Sequence, residues 1–307
     1  DHILSYCERV GFKKIILIDP KTISKYDRIP CIQTLSGKNV KSSVEGVLKT
    51  LSFLFETKVT DTRRILRYMT ATLRVLAKAG LTLQETRYFS QYVEYQNYRQ
   101  AIYDQIYGDQ QDVFTLNSAF QTNQIWQQMY SSSINMMNIV WDEPLSLMTG
   151  STEGINFREA ISDGWIILAK LSPIYLNEEE AKFLGLLVVS QLFQAVRSLV
   201  KNNWTGVYYL YIDEAGRFAS PQIKELLTYM RQTGVRLVIA HHDFAQFKGY
   251  EQIMASILNS ARIKLMFDTP SYKDRLLMIE ELGYGGDIPP ILAAYANRDI
   301  PKRYAVV

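Results

Sequence analysis

Apolar residues along this chain fall into two textures. Between about residue 41 and 140 they are interspersed with Tyr, Gln and Asn, and strand signals almost vanish. Helix punctuation takes their place. Gly80 stands just past one helix, and Thr82-Leu-Gln-Glu85 is a capping box, whose threonine and glutamate satisfy each other's backbone donors. Outside that stretch, short apolar runs alternate with helical segments. Ile15-Ile-Leu-Ile18 is a buried-strand run stopped by Asp19-Pro20. Trp165 to Ala169 reads as a strand, and Asn177 with Glu180 caps a long apolar helix to about Val200. Val207-Tyr-Tyr-Leu-Tyr-Ile212 is a β-branched and aromatic strand. Ser220-Pro221 starts a helix that Gly234 ends, and Val235 to Ala240 is another buried strand. Arg262 to Phe267 reads as a further strand, and Thr269-Pro270 opens a helix that Gly283 stops.

Strands separated by helices of this kind predict an α/β fold with a mostly parallel, three-layered sheet. The expected division is a core made of residues 1–40 and 141–307, interrupted by an all-α insert at 41–140.

Composition narrows the classes. A 307-residue chain with 47% hydrophobic and 21% charged residues has ordinary globular texture and a substantial core. A net charge of +3 neither argues for nucleic acid nor excludes it, because a groove can be basic on a near-neutral protein. Cys7 and Cys31 make no disulfide framework, and three histidines make no zinc pattern. The longest purely apolar run, Phe183 to Val189, falls far short of the roughly 18 residues that a membrane span requires. The chain opens at Asp1 rather than Met, which leads us to expect a fragment, with an N-terminal membrane anchor among the segments that could precede it.

The strongest chemical signal is Tyr208-Tyr-Leu-Tyr-Ile-Asp213-Glu214. In an α/β sheet the C-terminal end of a buried strand opens onto the ligand crevice. Two carboxylates there can divide the work of nucleotide hydrolysis: Asp213 holds a magnesium ion through its water shell and Glu214 polarises the attacking water. Arg217 and Arg231 follow on the next loop and helix. A second strand then ends in His241-His242-Asp243, with Gln246 close behind. Other clusters have plainer readings. Glu178-Glu-Glu180 opposes a helix dipole. Tyr88, Tyr92, Tyr95, Tyr98, Tyr103 and Tyr107 suit packing between helices better than base stacking. Gly283-Tyr-Gly-Gly286 follows a helix and reads as its stop. Arg217, in the polar loop from Gly216 to Ser220, is either a phosphate contact facing a pore or the ion-pair partner of a nearby acid.

From residue 11 to 307 the order of features resembles the conjugative coupling proteins and related HerA–FtsK motor ATPases. Gly11 to Pro20 is similar to the strand after the family's nucleotide-loop section, and 41–140 resembles its inserted all-α region. Phe157 to Ser172 looks like the strand leading to a Leu-Ser turn, and Asn177 to Ser190 like the capped helix before Walker B. Tyr211-Ile-Asp-Glu-Ala-Gly-Arg-Phe-Ala219 is similar to Walker B itself. Leu227-Thr-Tyr-Met-Arg231 falls where the family carries an arginine that reaches phosphates at a subunit boundary. Val235 to Gln246 resembles the sensor strand, and Ile257 to Lys264 the asparagine-containing segment before the next strand.

The resemblance implies a RecA-like core, ATP and Mg2+ as cofactors, DNA gripped mainly by its phosphate backbone, and a homo-hexamer. It further implies a secretion-system or relaxase-type partner, and a location in the cytoplasm or at the inner face of the cell membrane. By the same resemblance Glu214, Arg231 and His242 are catalytic, Asp213 is the metal residue and Arg217 the DNA contact. Two departures stand out. No Gly-x-x-x-x-Gly-Lys-Ser/Thr loop occurs, the nearest match being Gly37-Lys38-Asn39, and His242 replaces the usual sensor glutamine. Those departures keep open a non-hydrolysing scaffold that binds DNA or a secretion partner. A P-loop ATPase of another branch, such as a viral genome packager, is the third reading.

Overall fold

β-branched and aromatic runs that end in a polar pair form the longer strands of this protein, and capped apolar runs form its helices. A computed structural model describes residues 2–21, 30–55, 59–106, 110–172, 174–230, 234–267, 269–281, 292–294 and 305–306. The chain divides into two compact units, residues 1–204 and 205–307.

In the first unit, α1 (His2–Arg9) precedes β1 (Ile15–Ile18). There follow α2 (Val40–Leu54), α3 (Val59–Lys78), a 3-10 helix over Leu83–Phe89, α4 (Gln96–Asp104), α5 (Gln110–Ala119), α6 (Asn123–Met129), α7 (Ser131–Asn135), α8 (Leu145–Thr149), α9 (Phe157–Ser162), β2 (Ile166–Ala169) and α10 (Glu178–Lys201). β1 and β2 pair in parallel, with Ile15 opposite Ile166 and Ile18 opposite Ala169. The Thr82 capping box forms, but it starts the 3-10 helix rather than an α-helix.

α10 shows how sequence sets structure here. Asn177 accepts a hydrogen bond from the Glu180 amide at 2.9 Å, and the Glu180 carboxylate accepts one from the Asn177 amide at 2.8 Å. Three glutamates in its first turn oppose the dipole. The helix is apolar almost all round because it is buried almost all round: Phe183, Leu184 and Leu186 are each 0% exposed. Each such side chain stabilises the fold by about 1.5–3 kcal/mol. By length and composition α10 is long and apolar enough to cross a membrane, yet 72% of that apolar window is buried within the protein. It is a core helix, packed on α2 and α9. The approach to α2 is close: a Cβ on Gly46 would lie 2.8 Å from both Ser190 Oγ and Gln194 Nε2.

A buried cation organises the surface of this unit. Arg99, 3% exposed on α4, donates to the carbonyls of Tyr88 (2.9 Å), Gln91 (2.9 Å) and Tyr92 (2.7 Å). Its guanidinium lies 4.1 Å from the centre of the Phe120 ring. Burial pulls its pKa down from the usual arginine range. The tyrosines around it pack against one another, Tyr88 stacking on Tyr98 at 4.1 Å and meeting Tyr95 edge-on at 5.3 Å.

In the second unit β3 (Tyr208–Ile212) leads through a 3-10 turn over Ala215–Phe218 to α11 (Pro221–Met230) and β4 (Val235–Ile239). A 3-10 turn over Phe244–Phe247, α12 (Glu251–Ser260), β5 (Met266–Phe267), α13 (Tyr272–Glu281) and β6 (Ala305–Val306) complete it. β3 and β4 run parallel, joined by α11 as a βαβ crossover, with Tyr208 opposite Val235 and Ile212 opposite Ile239.

The strand expected over Arg262 to Phe267 shrinks to Met266–Phe267, antiparallel to β6. Ile263 and Leu265 are exposed, and the residues before Met266 have no strand partner among the described residues. α13 begins at Tyr272, where Ser271 Oγ accepts from the Asp274 amide at 3.2 Å. The stop at Gly283, the Gly283–Gly286 segment and Tyr107 lie outside the described residues.

Candidate functional site

The register of β3 against β4 brings two polar clusters together. Because Ile212 pairs with Ile239, Asp213-Glu214 and His241-His242 leave the same end of the two strands. Backbone bonds continue past the ladder and fix the two exits: Ala240 N–H donates to Ile212 O, and Ala215 N–H to Ala240 O, both at 2.9 Å.

Asp213 is exposed, and one of its carboxylate oxygens accepts from the Glu214 amide at 2.9 Å. Glu214 adopts the left-handed region, φ 50 and ψ 44. That conformation costs a non-glycine residue roughly 1–2 kcal/mol. It turns the chain sharply out of the strand and places the Glu214 carboxylate between two cationic or imidazole groups. Arg217 Nε lies 2.8 Å from Oε2, and His242 Nε2 lies 3.8 Å from Oε1. Of the two readings of Arg217, the structure displays the ion pair.

The two adjacent histidines differ in role. His241 packs its ring on Phe244 and Phe247, with centroids at 4.8 and 5.3 Å, and its Nδ1 lies 3.2 Å from Asp243 O. Burial pushes its pKa below the ordinary histidine value, so it stands neutral at pH 7. His242 points outward, its side chain 75% exposed. The loop that carries it is anchored from both sides. Asp243 accepts from the Gln246 amide at 3.1 Å, and the buried Asp274 of α13 accepts from the Phe244 amide at 3.1 Å.

Asp213, Glu214, Arg217 and His242 therefore stand together at one end of the β3–β4 pair. Arg231 lies outside the described residues. Sequence reading missed Asp274 as an anchor, since an acid in the first turn of a helix signals only dipole complementarity. A magnesium ion suits Asp213: the carboxylate is exposed, and its second oxygen has no protein donor among the described residues. No group of three or more His, Cys, Asp or Glu able to hold a metal occurs among the described residues. That donor set fits a cation that keeps most of its water, as magnesium does, rather than zinc.

No protein-family model matches the chain, and no curated protein matches it. Solved structures do. The bacterial conjugative coupling protein TrwB, in an unbound monoclinic form, aligns over 91% of this chain and 69% of its own, with a TM-score of 0.54 and 14% identity. VirB4 of Thermoanaerobacter pseudethanolicus aligns over 92% of this chain and 76% of its own, with a TM-score of 0.50 and 12% identity. The fold is TrwB/VirB4-like. At these identities the likeness is one of fold, so the chemistry of the site rests on its own residues.

One position in this TrwB/VirB4-like chain ties the two loops together. A Cβ added at Gly216 would run into Gln246 Cβ and lie 3.1 Å from both Gln246 O and Oε1. Gly216→Ala is therefore expected to lose about 1–3 kcal/mol and to part the acid-bearing turn from the histidine loop. Urea unfolding midpoints check this. An unchanged midpoint would mean that the loops have room to separate without loss.

Proposed function

We propose that this chain is the acid-bearing part of an ATP-driven motor, of the conjugative-coupling and type IV secretion kind, that moves DNA or a nucleoprotein. The observation that carries the reading is the juxtaposition of Asp213-Glu214 and His242 at the shared end of two parallel strands, within a TrwB/VirB4-like fold. In this reading Tyr208 to Glu214 is the Walker B strand. The core is RecA-like in this reading, and the protein works as a homo-hexamer on the cytoplasmic side.

The residues present fit part of the cofactor. Asp213 offers a carboxylate to a hydrated Mg2+, which when bound supplies charge neutralisation at the phosphates. Glu214 orients the attacking water and takes up its proton. His242, outward-facing and 3.8 Å from Glu214, donates to an oxygen of the terminal phosphate. Arg231 reaches phosphate charge near a subunit boundary, and Arg217 meets the DNA backbone. The triphosphate cradle is not among these 307 residues, because no Gly-x-x-x-x-Gly-Lys-Ser/Thr occurs in them. We assign it to residues outside this chain.

The absence of that loop from the sequence also motivates a second reading, a scaffold that keeps the motor fold and binds DNA or a secretion partner without hydrolysis. Metal dependence separates the two. The full-length protein should hydrolyse ATP in magnesium and stop when the metal is chelated, and Asp213→Asn should raise the magnesium requirement by about tenfold or more. A folded full-length protein that binds DNA and shows no turnover at any magnesium concentration would establish the scaffold instead.

A further inference from the structure

We propose that Arg217 is a positioning residue that holds Glu214 in a resting orientation, and that a nucleic-acid phosphodiester releases the acid by taking the guanidinium. This rests on the reading of Glu214 as the water-activating residue, and it adds a control on that residue. The evidence is the geometry of the turn. Glu214 and Arg217 are three residues apart on one 3-10 turn, and Arg217 N–H donates to Glu214 O at 3.0 Å. The side chains then meet at 2.8 Å, Arg217 Nε on Glu214 Oε2. A charge-assisted hydrogen bond of this length holds the carboxylate in one orientation. In this arrangement the Arg217 guanidinium fixes the direction in which the Glu214 carboxylate faces.

The hold is built to be released. Arg217 is 44% and Glu214 37% exposed, so the pair is hydrated and screened and shifts an equilibrium by at most about fivefold. It uses only Nε of the guanidinium. The two Nη nitrogens have no protein partner among the described residues, leaving an open edge with parallel N–H donors. That edge matches two phosphate oxygens in a bidentate contact, which is stronger than the single contact it would replace. The turn itself has little freedom to follow, because Gly216 is wedged against Gln246. Release must therefore come from side-chain rotation alone, with His242 left beside Oε1.

The test observes the Arg217 Nε–Hε resonance in a two-dimensional proton–nitrogen NMR spectrum of this chain, assigned by its loss in Arg217→Lys. Glu214→Gln should move it. Titrating the wild-type chain with an oligothymidylate single strand should carry the signal toward its position in Glu214→Gln. The latch is overturned if Glu214→Gln leaves the resonance in place, or if the oligonucleotide fails to bind or binds without moving it. It is equally overturned if polyglutamate of equal charge moves the signal as far, which would make the trigger an acidic protein. In the full-length protein, Arg217→Ala should raise the DNA-free ATPase rate by roughly three- to fivefold and erase stimulation by the oligonucleotide. A merely structural role would lower that rate. Absence of ATPase in the wild-type protein sinks the motor reading, whereas a silent resonance beside normal ATPase sinks only the latch.

Discussion

Glutamine at position 214 is expected to cut ATP turnover of the full-length protein by at least about 100-fold while leaving magnesium-ATP affinity within about twofold. The substitution keeps size and backbone preference, so the left-handed turn at φ 50 survives. In the proposed reading it removes the group that takes up the proton of the attacking water, Asp213 being assigned to the metal. His242, 3.8 Å from the same carboxylate, is assigned to the phosphate side in that reading and does not substitute. Steady-state hydrolysis and equilibrium binding of a fluorescent nucleotide measure the two quantities separately. Turnover within a few-fold of wild type would remove Glu214 from the chemistry. Joint loss of turnover and binding would instead point to a collapsed site.

Arg99→Met should destabilise the first unit by about 3 kcal/mol or more, seen as a lower urea midpoint with an unchanged slope. Methionine fills much the same volume, so the cost isolates the hydrogen bonds. Three carbonyls, those of Tyr88, Gln91 and Tyr92, lose a common donor, each at 2.9 Å or less. The contact with the Phe120 ring at 4.1 Å is lost as well. Arg99→Lys should recover only part of the loss, because a single ammonium cannot span three carbonyls from one fixed plane. A midpoint matching wild type in Arg99→Met would show that water replaces the guanidinium without cost.

Four strands were legible in the sequence to within a residue or two: 15–18, 166–169, 208–212 and 235–239. Each is a dense apolar or aromatic run with a clear stop, so local preference set the bounds; the burial expected of them did not follow, since Tyr209, Tyr211 and Val238 are exposed. The capping boxes at Thr82 and Asn177 were equally plain, because both partners sit three residues apart in the chain. What stayed hidden depended on distant partners. Nothing in Arg262 to Phe267 reveals that, among the described residues, only Met266–Phe267 pairs, with residues 305–306. The clamp of Arg99 on three carbonyls and the anchoring of the histidine loop by Asp274 are tertiary facts of the same kind. At the site, strand ends announced Asp213, Glu214 and His242. The ion pair of Arg217 stood as one of two options, and geometry was needed to show that it forms.

The left-handed backbone at Glu214 sets comfort and chemistry against each other at a single residue. Glycine or asparagine there would relax the turn and abolish the acid in one step. On the proposed reading, a screen of the full-length protein for heat tolerance would accordingly tend to harvest inert variants, unless position 214 were held constant while the rest was allowed to vary.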